Sequence, residues 1–378
     1  MHEIPEGLAA MGHEILFVDF PEGEAWLSGQ PAVLDSKISG RVLQDQELIL
    51  LRQWKSTGNL IGRLITALTF GIWFRKVLAK RRPDVVVTYA VPTSGWQAVH
   101  ECSRAGIPIV YRALDVSHLI RKSVFRTLIR RKEHQVIRSA DWVSANNPEL
   151  AKYCREIRGS AQSVSFDRPP LDLEHFSEVE VNVLELRQRL GVPTDATVYL
   201  YMGSFFYFSG LEEVIESFSR ERLATDFLVL IGGGEREEAL RELVKKLKVS
   251  DCVIFTGIIP YGLLPQYLRV ADVALNPMQA TLVSHSAIPN KILQYLSCNI
   301  PVVSTRLRGL SSSGLHSELL FCVPSSGEVF REAQRIAREH KALAGQFPNN
   351  ALSLAPYKRE IALANFAKLL SRVVGLVN

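Results

Sequence analysis

The C-terminal half of the chain alternates short, wholly apolar runs with segments whose apolar residues recur at helical spacing. The run at 198–202 is followed by such a segment at 211–218, and the run at 227–231 by another at 235–248. Strands that are apolar at every position are typical of a parallel sheet covered by helices on both faces. This half is therefore predicted to be a doubly wound α/β domain. The further predicted strands are 252–255, 273–275, 301–304 and 320–323.

The N-terminal half repeats this alternation with longer insertions, and 378 residues exceed one ordinary α/β core. A long helix is predicted at 60–80, and the stretch 165–176, which contains a pair of prolines, is predicted to be a linker. The chain should therefore form two Rossmann-like, doubly wound parallel-sheet domains, at 1–170 and 171–352. The predicted N-terminal strands are 14–18, 85–88, 107–111 and 142–145.

The start of the chain is unusual for such a domain. The first segment, 2–11, has helical character and ends at Gly12, and the first strand follows only after it. A Rossmann-like domain normally begins with a strand and a glycine-containing turn before its first helix. Two interpretations stay open: the N-terminal domain lacks its first strand in this chain, or its sheet has one strand fewer.

Composition excludes several classes of protein. The net charge of +5 suits an anionic ligand but is too small to indicate nucleic acid. The five cysteines are scattered, which argues against a disulfide framework or a zinc site and favours the cytoplasm. No secretory signal opens the chain, and the longest apolar run, 64–74, is too short to span a bilayer. Because no metal-ligand cluster is visible, we expect no metal and no other cofactor.

Two glycine-containing loops follow predicted strands and are candidates for binding a nucleotide. The first contains Gly203, Ser204, Ser209 and Gly210 and leads into a helix, whose first backbone N–H groups favour phosphate. Its alternative is an ordinary strand-to-helix loop. The second is a glycine triplet centred on Gly233, which would lie near the nucleotide or form a plain tight turn.

A third segment is the most specific. A polar loop enters a helix that leads into a buried strand, with Asn290, Lys291 and Gln294 near the helix start. Lys291 and Gln294 are three residues apart and can share one face of the helix, where a cation and an amide suit a phosphate and a ribose diol. The alternative is a solvated lysine and a surface amide.

Taken together, these segments resemble family 4 glycosyltransferases of the GT-B fold, also called glycosyltransferase group 1. The order and spacing of the motifs match across about residues 200–305 and more loosely in the N-terminal half. The matching segments are 203–211, 230–234, 255–257, 271–277, 289–296 and 301–303, and then 12–15, 82–86 and 140–143.

The resemblance implies that the C-terminal domain holds a nucleoside-diphosphate sugar and that the acceptor lies against the N-terminal domain, with chemistry in the cleft between them. It implies transfer with retention to a glycan, a lipid-linked acceptor or a small molecule, in polysaccharide biosynthesis. It also implies that the last segment, 353–378, is a helix that crosses back to the N-terminal domain.

The chain departs from the family where charged groups are expected. Ser204 and Ser209 stand where the family usually has cations, and Ser286 and Gln294 stand where it has two glutamates eight residues apart. A catalytically impaired protein that binds a nucleotide-sugar or a partner glycosyltransferase is therefore the alternative function. If the protein is active, Lys291, backbone amides, Arg112 or Arg306 must meet the charge of the leaving group.

The N-terminal half supplies two candidates for the acceptor side. Asp115 follows a predicted strand end and could orient or deprotonate an acceptor hydroxyl, or cap a following helix. His118 is a weaker candidate for the same role.

Two segments, 121–132 and 70–82, combine basic with aromatic or apolar residues. They could rest on an anionic membrane at the inner face or hold a lipid-linked acceptor. In the alternative, the apolar side chains of the second segment belong to the core and the arginines form a solvated face. The apolar residues concerned are Trp73, Phe74, Val77 and Leu78.

Overall fold

A computed structural model of the protein describes residues 3–19, 36–40, 42–53, 60–89, 94–120, 125–177, 181–342 and 351–377. The chain divides into two compact units. The first comprises Met1–Pro170 with Arg359–Asn378, and the second comprises Leu171–Lys358. Both are α/β, with sheets that are mainly parallel, as the sequence predicts.

The described part of the first unit contains seven strands and seven helices. The strands are β1 (Leu16–Asp19), β2 (Ser36–Ser39), β3 (Glu47–Arg52), β4 (Val86–Thr88), β5 (Ile109–Ala113), β6 (Trp142–Ala145) and β7 (Val164–Phe166). The helices are α1 (Glu3–Ala10), α2 (Leu60–Arg81), α3 (Trp96–Ala105), α4 (Ser117–Ile120), α5 (Arg126–Ser139), α6 (Pro148–Arg158) and, from the chain end, α17 (Arg359–Val377).

The described strands of this unit form two sheets. One has the order β4-β5-β6-β7 and is parallel throughout, whereas the other has the order β1-β3-β2, with β2 antiparallel to β3. β2 and β3 are absent from the strands predicted from the sequence, although the apolar run at 48–51 is a strand signal. The antiparallel pair departs from the expected all-parallel arrangement. Whether a strand precedes the first helix stays a prediction.

Helices cover the four-stranded sheet on both faces. The core of one face is built from α2, α3, α5 and α6. On the other face α1 and α17 pack together, because Leu8 meets Phe366 and Leu369 in one cluster with Val110 of β5. The last helix thus belongs to the first unit.

The predicted linker at 165–176 contains the boundary between the two units, which falls after Pro170, but both of its ends belong to regular structure. Ser165 pairs with Ser144 in the ladder between β6 and β7, so the sheet continues into the stretch. At the other end, α7 (Leu173–Ser177) places the fully buried Phe176 in the core of the second unit. The proline pair was read correctly as a break, but the pairing and burial on either side of it depend on distant residues.

The second unit is built on one six-stranded parallel sheet in the order β10-β9-β8-β11-β12-β13. Its strands are β8 (Thr197–Ser204), β9 (Asp226–Gly233), β10 (Val253–Gly257), β11 (Val273–Asn276), β12 (Val302–Thr305) and β13 (Leu320–Val323). Each predicted strand of this half is confirmed, with ends shifted by at most two residues. The apolar positions predicted for the first helix face are all buried: Leu211, Val214, Ile215 and Phe218.

Helices also cover both faces of this sheet. Besides α7, they are α8 (Val183–Arg189), α9 (Leu211–Glu221), α10 (Glu237–Lys246), α11 (Leu264–Leu268), α12 (Leu282–His285), α13 (Asn290–Ser297), α14 (Arg308–Ser312), α15 (Val329–Ala342) and α16 (Ala351–Leu354). One core cluster includes residues of α7, α11 and α13, and the other includes residues of α9, α10 and α15. The loops that leave the carboxyl ends of the strands are therefore fixed on a buried sheet.

Candidate functional site

The loops that leave β8 and β9 touch through their backbones. Gly203 pairs with Gly232 in the ladder, and a Cβ on Gly232 would lie 2.1 Å from the carbonyl oxygen of Gly203. The N–H of Phe205 donates to the carbonyl of Gly233 at 2.9 Å, and a Cβ on Gly234 would lie 2.9 Å from the same nitrogen. The glycine triplet is therefore not a plain tight turn: β9 runs on to Gly233, and the glycines permit the close approach.

The far end of the β8 loop is fixed by a second close approach. Gly210 has a φ of +73° and ends the loop directly before α9. A Cβ on Gly210 would lie 1.7 Å from the carbonyl oxygen of Pro277, in the loop after β11. Phe208 accepts a 2.9 Å hydrogen bond from the N–H of Gln279, and Ser209 is buried. The loops after β8, β9 and β11 thus contact one another at the carboxyl edge of the sheet.

The start of α9 is a poorer anion site than the sequence suggested. Its first turn carries Glu212 and Glu213, whose charges oppose an anion at this helix end. Arg236 pairs with Glu212, and Gln279 donates to Glu213. Each of the two glutamate carboxylates is therefore bound by another side chain of the protein.

The ammonium of Lys291 lies beside the glycine loop. Its Nζ lies 3.9 Å from the centroid of the Tyr201 ring, and a Cβ on Gly203 would lie 3.0 Å from that Nζ. Among the described residues it forms no ion pair with a carboxylate. Burial lowers the pKa of Lys291 to about 7, because the charged form is poorly solvated there. A partly desolvated ammonium beside bare backbone suits an anionic group such as phosphate.

Two tyrosines that the sequence analysis did not single out hold this lysine in place. The Tyr295 hydroxyl accepts a 2.7 Å hydrogen bond from the N–H of Met202, which ties α13 to β8. The Tyr201 hydroxyl donates to the carbonyl of Ser204 at 3.0 Å. Tyr295 lies one helical turn after Lys291, so spacing could have indicated it. The contact between Tyr201 and Lys291 joins β8 to α13, which only the fold reveals.

The remaining predicted residues of the second unit are less closely joined. Ser204 is exposed and pairs with Gly233 in the ladder. Asn290 is exposed at the first position of α13, and Gln294 is partly buried one turn later. Among the described residues, neither amide side chain makes a hydrogen bond, so their proposed contacts with a ribose stay predictions.

Arg112, which was a candidate for meeting leaving-group charge, is a structural residue. It lies within β5, is 1% exposed and donates to Ser144 and to the carbonyl of Asp167 at 2.7 and 2.9 Å. Its guanidinium also lies 5.6 Å from the ring centroid of Phe366. The sequence could not show that β5 turns this side chain towards the face covered by α17. Arg306 is exposed directly after β12 and stays a candidate.

The first unit brings the two acceptor-side candidates together after β5. Asp115 accepts a 3.3 Å hydrogen bond from the Ser117 hydroxyl, while the Ser117 N–H donates to Glu133. The cap that was the alternative role of Asp115 is thus supplied by Glu133. Burial raises the pKa of Asp115 to about 6. His118, the residue after Ser117, is buried and contacts Glu133 through Nδ1 at 2.5 Å.

The described residues offer neither a metal site nor a membrane span. No group of three or more His, Cys, Asp or Glu side chains there is placed to hold a metal ion. Within the same residues, every helix is too short or too polar to cross a membrane.

Two family models match the chain. Residues 196–338 match the model described as "Glycosyl transferases group 1", and residues 1–166 match the model described as "Glycosyl transferase 4-like domain". The putative teichuronic acid biosynthesis glycosyltransferase TuaC of Bacillus subtilis is 27% identical over 259 residues, which are 66% of this chain and 60% of TuaC. The chain spans less than two thirds of the length of the first curated relatives it matches.

Solved structures match over nearly the whole chain. Anabaena HepE in complex with UDP-glucose has a TM-score of 0.73 at 16% identity, covering 98% of this chain and 94% of HepE. Sucrose-phosphate synthase from Thermosynechococcus elongatus has a TM-score of 0.77 at 18% identity, covering 99% of this chain and 92% of that one. At such identities these likenesses show the fold.

The contact between Gly210 and Pro277 makes a stability prediction. Gly210→Ala should lower the free energy of unfolding by more than the about 1–2 kcal/mol that a left-handed conformation costs other residues. The excess is expected because the new methyl group would meet the carbonyl oxygen of Pro277. Gly314→Ala is the matched control, since Gly314 has a φ of +74° with nothing within 4 Å of an added Cβ. Denaturant unfolding of both variants tests this, and equal losses would contradict it.

Proposed function

Because the chain belongs to the group 1 glycosyltransferases of the GT-B fold, we propose that it transfers a sugar from a nucleoside-diphosphate sugar to a glycan, lipid-linked or small-molecule acceptor. The observation that carries the donor class is the Lys291 ammonium beside Gly203, without a carboxylate partner among the described residues. HepE, whose structure contains UDP-glucose, supports the same donor class. Transfer with retention, and without a metal, is part of the proposal.

In this proposal Lys291 replaces the missing family cations. Breaking the bond between sugar and diphosphate leaves negative charge on the diphosphate, and a positioned cation stabilises that charge. Ser204 and Ser209 bring no charge, so Lys291 and the backbone of the β8 loop take this role. A diphosphate next to Lys291 would raise the pKa of the lysine and keep it protonated.

The pKa of about 7 gives this role a pH signature. Above pH 7 the free lysine loses its proton, so binding must recover one and the affinity for UDP-glucose should fall, by up to tenfold per pH unit. Lys291→Met should weaken binding by about 10- to 100-fold, as expected for a hydrogen bond to a charged group, and should flatten the pH dependence. Calorimetry between pH 6 and 8.5 measures both effects. Lys246→Met, at an exposed position of α10, is the control.

The activity itself is tested with the full chain and a panel of UDP-, GDP-, ADP- and dTDP-sugars. We expect a thermal shift with nucleotide-sugars of one base, and release of the nucleoside diphosphate that depends on an added glycan or lipid acceptor and persists in EDTA. A shift without acceptor-dependent release would favour the binding-only alternative. The absence of any shift would contradict the donor site.

We also propose that the first unit contacts an anionic membrane surface. Helices α2, α3 and α5 pack on the same face of the sheet, and their outer side carries apolar side chains that are more than half exposed. These are Leu68, Ile72, Phe125 and Leu128. Exposed cations surround them: Arg75, Lys76, Lys80, Arg126, Arg130 and Arg131.

Negative charge on this side is buried. The described residues of α2 and α5 include one acidic residue, Glu133, which is fully buried, and Glu101 of α3 is buried against Arg75. The alternative that assigned Trp73, Phe74, Val77 and Leu78 to the core is confirmed. The proposed membrane-contacting surface therefore consists of other apolar side chains than the four that the sequence suggested. Apolar insertion with basic residues around it is how interfacial helices bind anionic lipid.

The membrane contact predicts selective binding to vesicles. The protein should float with vesicles that contain 30% phosphatidylglycerol in phosphatidylcholine, and not with pure phosphatidylcholine, with less binding at high salt. The double variant Ile72→Glu, Leu128→Glu should lose binding. Leu223→Glu places the same kind of substitution at a half-exposed leucine of the second unit, and vesicle binding of this variant should be unchanged. Equal binding of the two variants would contradict the assigned surface.

A further inference from the structure

Glu133 of α5 is a buried acid whose two carboxylate oxygens are used separately. Oε2 lies 2.5 Å from Nδ1 of His118, and Oε1 accepts the N–H of Ser117 at 2.9 Å. Glu133 is fully buried and His118 is 7% exposed. Both contacts fall on the first two residues of α4, so one side chain fixes the position and the ring orientation of His118.

An ionised carboxylate only accepts hydrogen bonds, which determines the tautomer of its partner. The neutral imidazole of His118 must carry its proton on Nδ1 to donate to Glu133. Nε2 then has a free lone pair, and among the described residues no hydrogen bond to it is formed. A histidine held in this way presents an acceptor of hydrogen bonds in a defined direction.

We infer that Glu133 is a positioning residue that keeps Nε2 of His118 available to accept the hydrogen bond of an acceptor hydroxyl. This role rests on the proposed function, because it needs an acceptor that binds at the first unit. His118, which contacts the hydroxyl, is the catalytic residue, and Glu133 acts through it. From the sequence, His118 is a weaker candidate than Asp115, because the sequence does not show that α5 brings a carboxylate against the ring of His118.

The surroundings contain other groups that titrate. Asp115 lies on the same loop as His118, and its pKa is raised to about 6 by burial. On α5, burial and nearby arginines lower the pKa of His134, whose ring centroid lies 6.3 Å from that of His118. Tyr153 of α6 has its hydroxyl 3.5 Å from both Glu133 and His134, and burial raises its pKa, as it does that of Tyr111. The pH dependence of activity would therefore reflect the titration of several groups at once. The tautomer of His118 is the more specific readout.

The test is Glu133→Gln, which is close to isosteric. Its amide oxygen can still accept from Ser117, while its NH2 group would donate to Nδ1 and force the proton of His118 onto Nε2. Nitrogen-15 NMR of the histidines at pH 8 reports the tautomer, and His118→Asn identifies the signal among the nine histidines. We expect the Nδ1–H form in the unaltered protein and the Nε2–H form in the variant. The same tautomer in both would overturn the inference.

Kinetics separate positioning from stability. Glu133→Gln should lower acceptor-dependent kcat/KM about tenfold or more, with donor affinity unchanged, and should have no further effect in the His118→Asn background. An equal loss in that background would show a purely structural role and overturn the inference. Glu101→Gln removes another buried, paired carboxylate of the same unit and should leave the tautomer unchanged. If the unaltered protein transfers no sugar, the proposed function fails, while the tautomer comparison still tests the placement of His118.

Discussion

Backbone-to-backbone contact between loops is the constraint on which the carboxyl edge of the second unit's sheet, the proposed donor site, depends. The carbonyl of Gly203 lies where a side chain on Gly232 would be, and the carbonyl of Pro277 lies where a side chain on Gly210 would be. The loops after β8, β9 and β11 can therefore come together only because these positions lack a Cβ. Their close approach leaves bare backbone at the carboxyl edge of the sheet, next to Lys291.

The charge at this edge is arranged differently from the family pattern. The two loop positions that usually carry cations are serines, and the first turn of α9 is acidic. The positive charge comes instead from α13, where Lys291 lies over an aromatic ring and loses part of its hydration. A lysine with a pKa near 7 can be charged or neutral at little cost, so the anion itself decides its state. The proposed donor role therefore assigns to Lys291 the charge that the replaced residues would carry.

In the first unit, several buried charged groups have specific partners. Arg112 donates to Ser144 and to the backbone of residue 167, Glu101 pairs with Arg75, and Glu133 contacts Ser117 and His118. Burying a charge without a partner is costly, so each pairing constrains the elements that carry it. With acidic groups buried and basic ones left outside, the outer side of α2 and α5 is strongly cationic.

The sequence by itself determined the fold class, the positions of the strands in the second unit and the segments that surround the proposed donor site. These follow from local periodicity and from motifs of fixed spacing, which depend on neighbouring residues. Only the tertiary structure decided that Arg112 is buried, that residues 165–176 are mostly pairing and core, and that Glu133 rather than Asp115 caps α4. It also placed the ring of Tyr201, on β8, against the ammonium of Lys291, on α13. Such partnerships join residues far apart in the chain, and their energy comes from burial and directed hydrogen bonds that no local pattern of residues encodes.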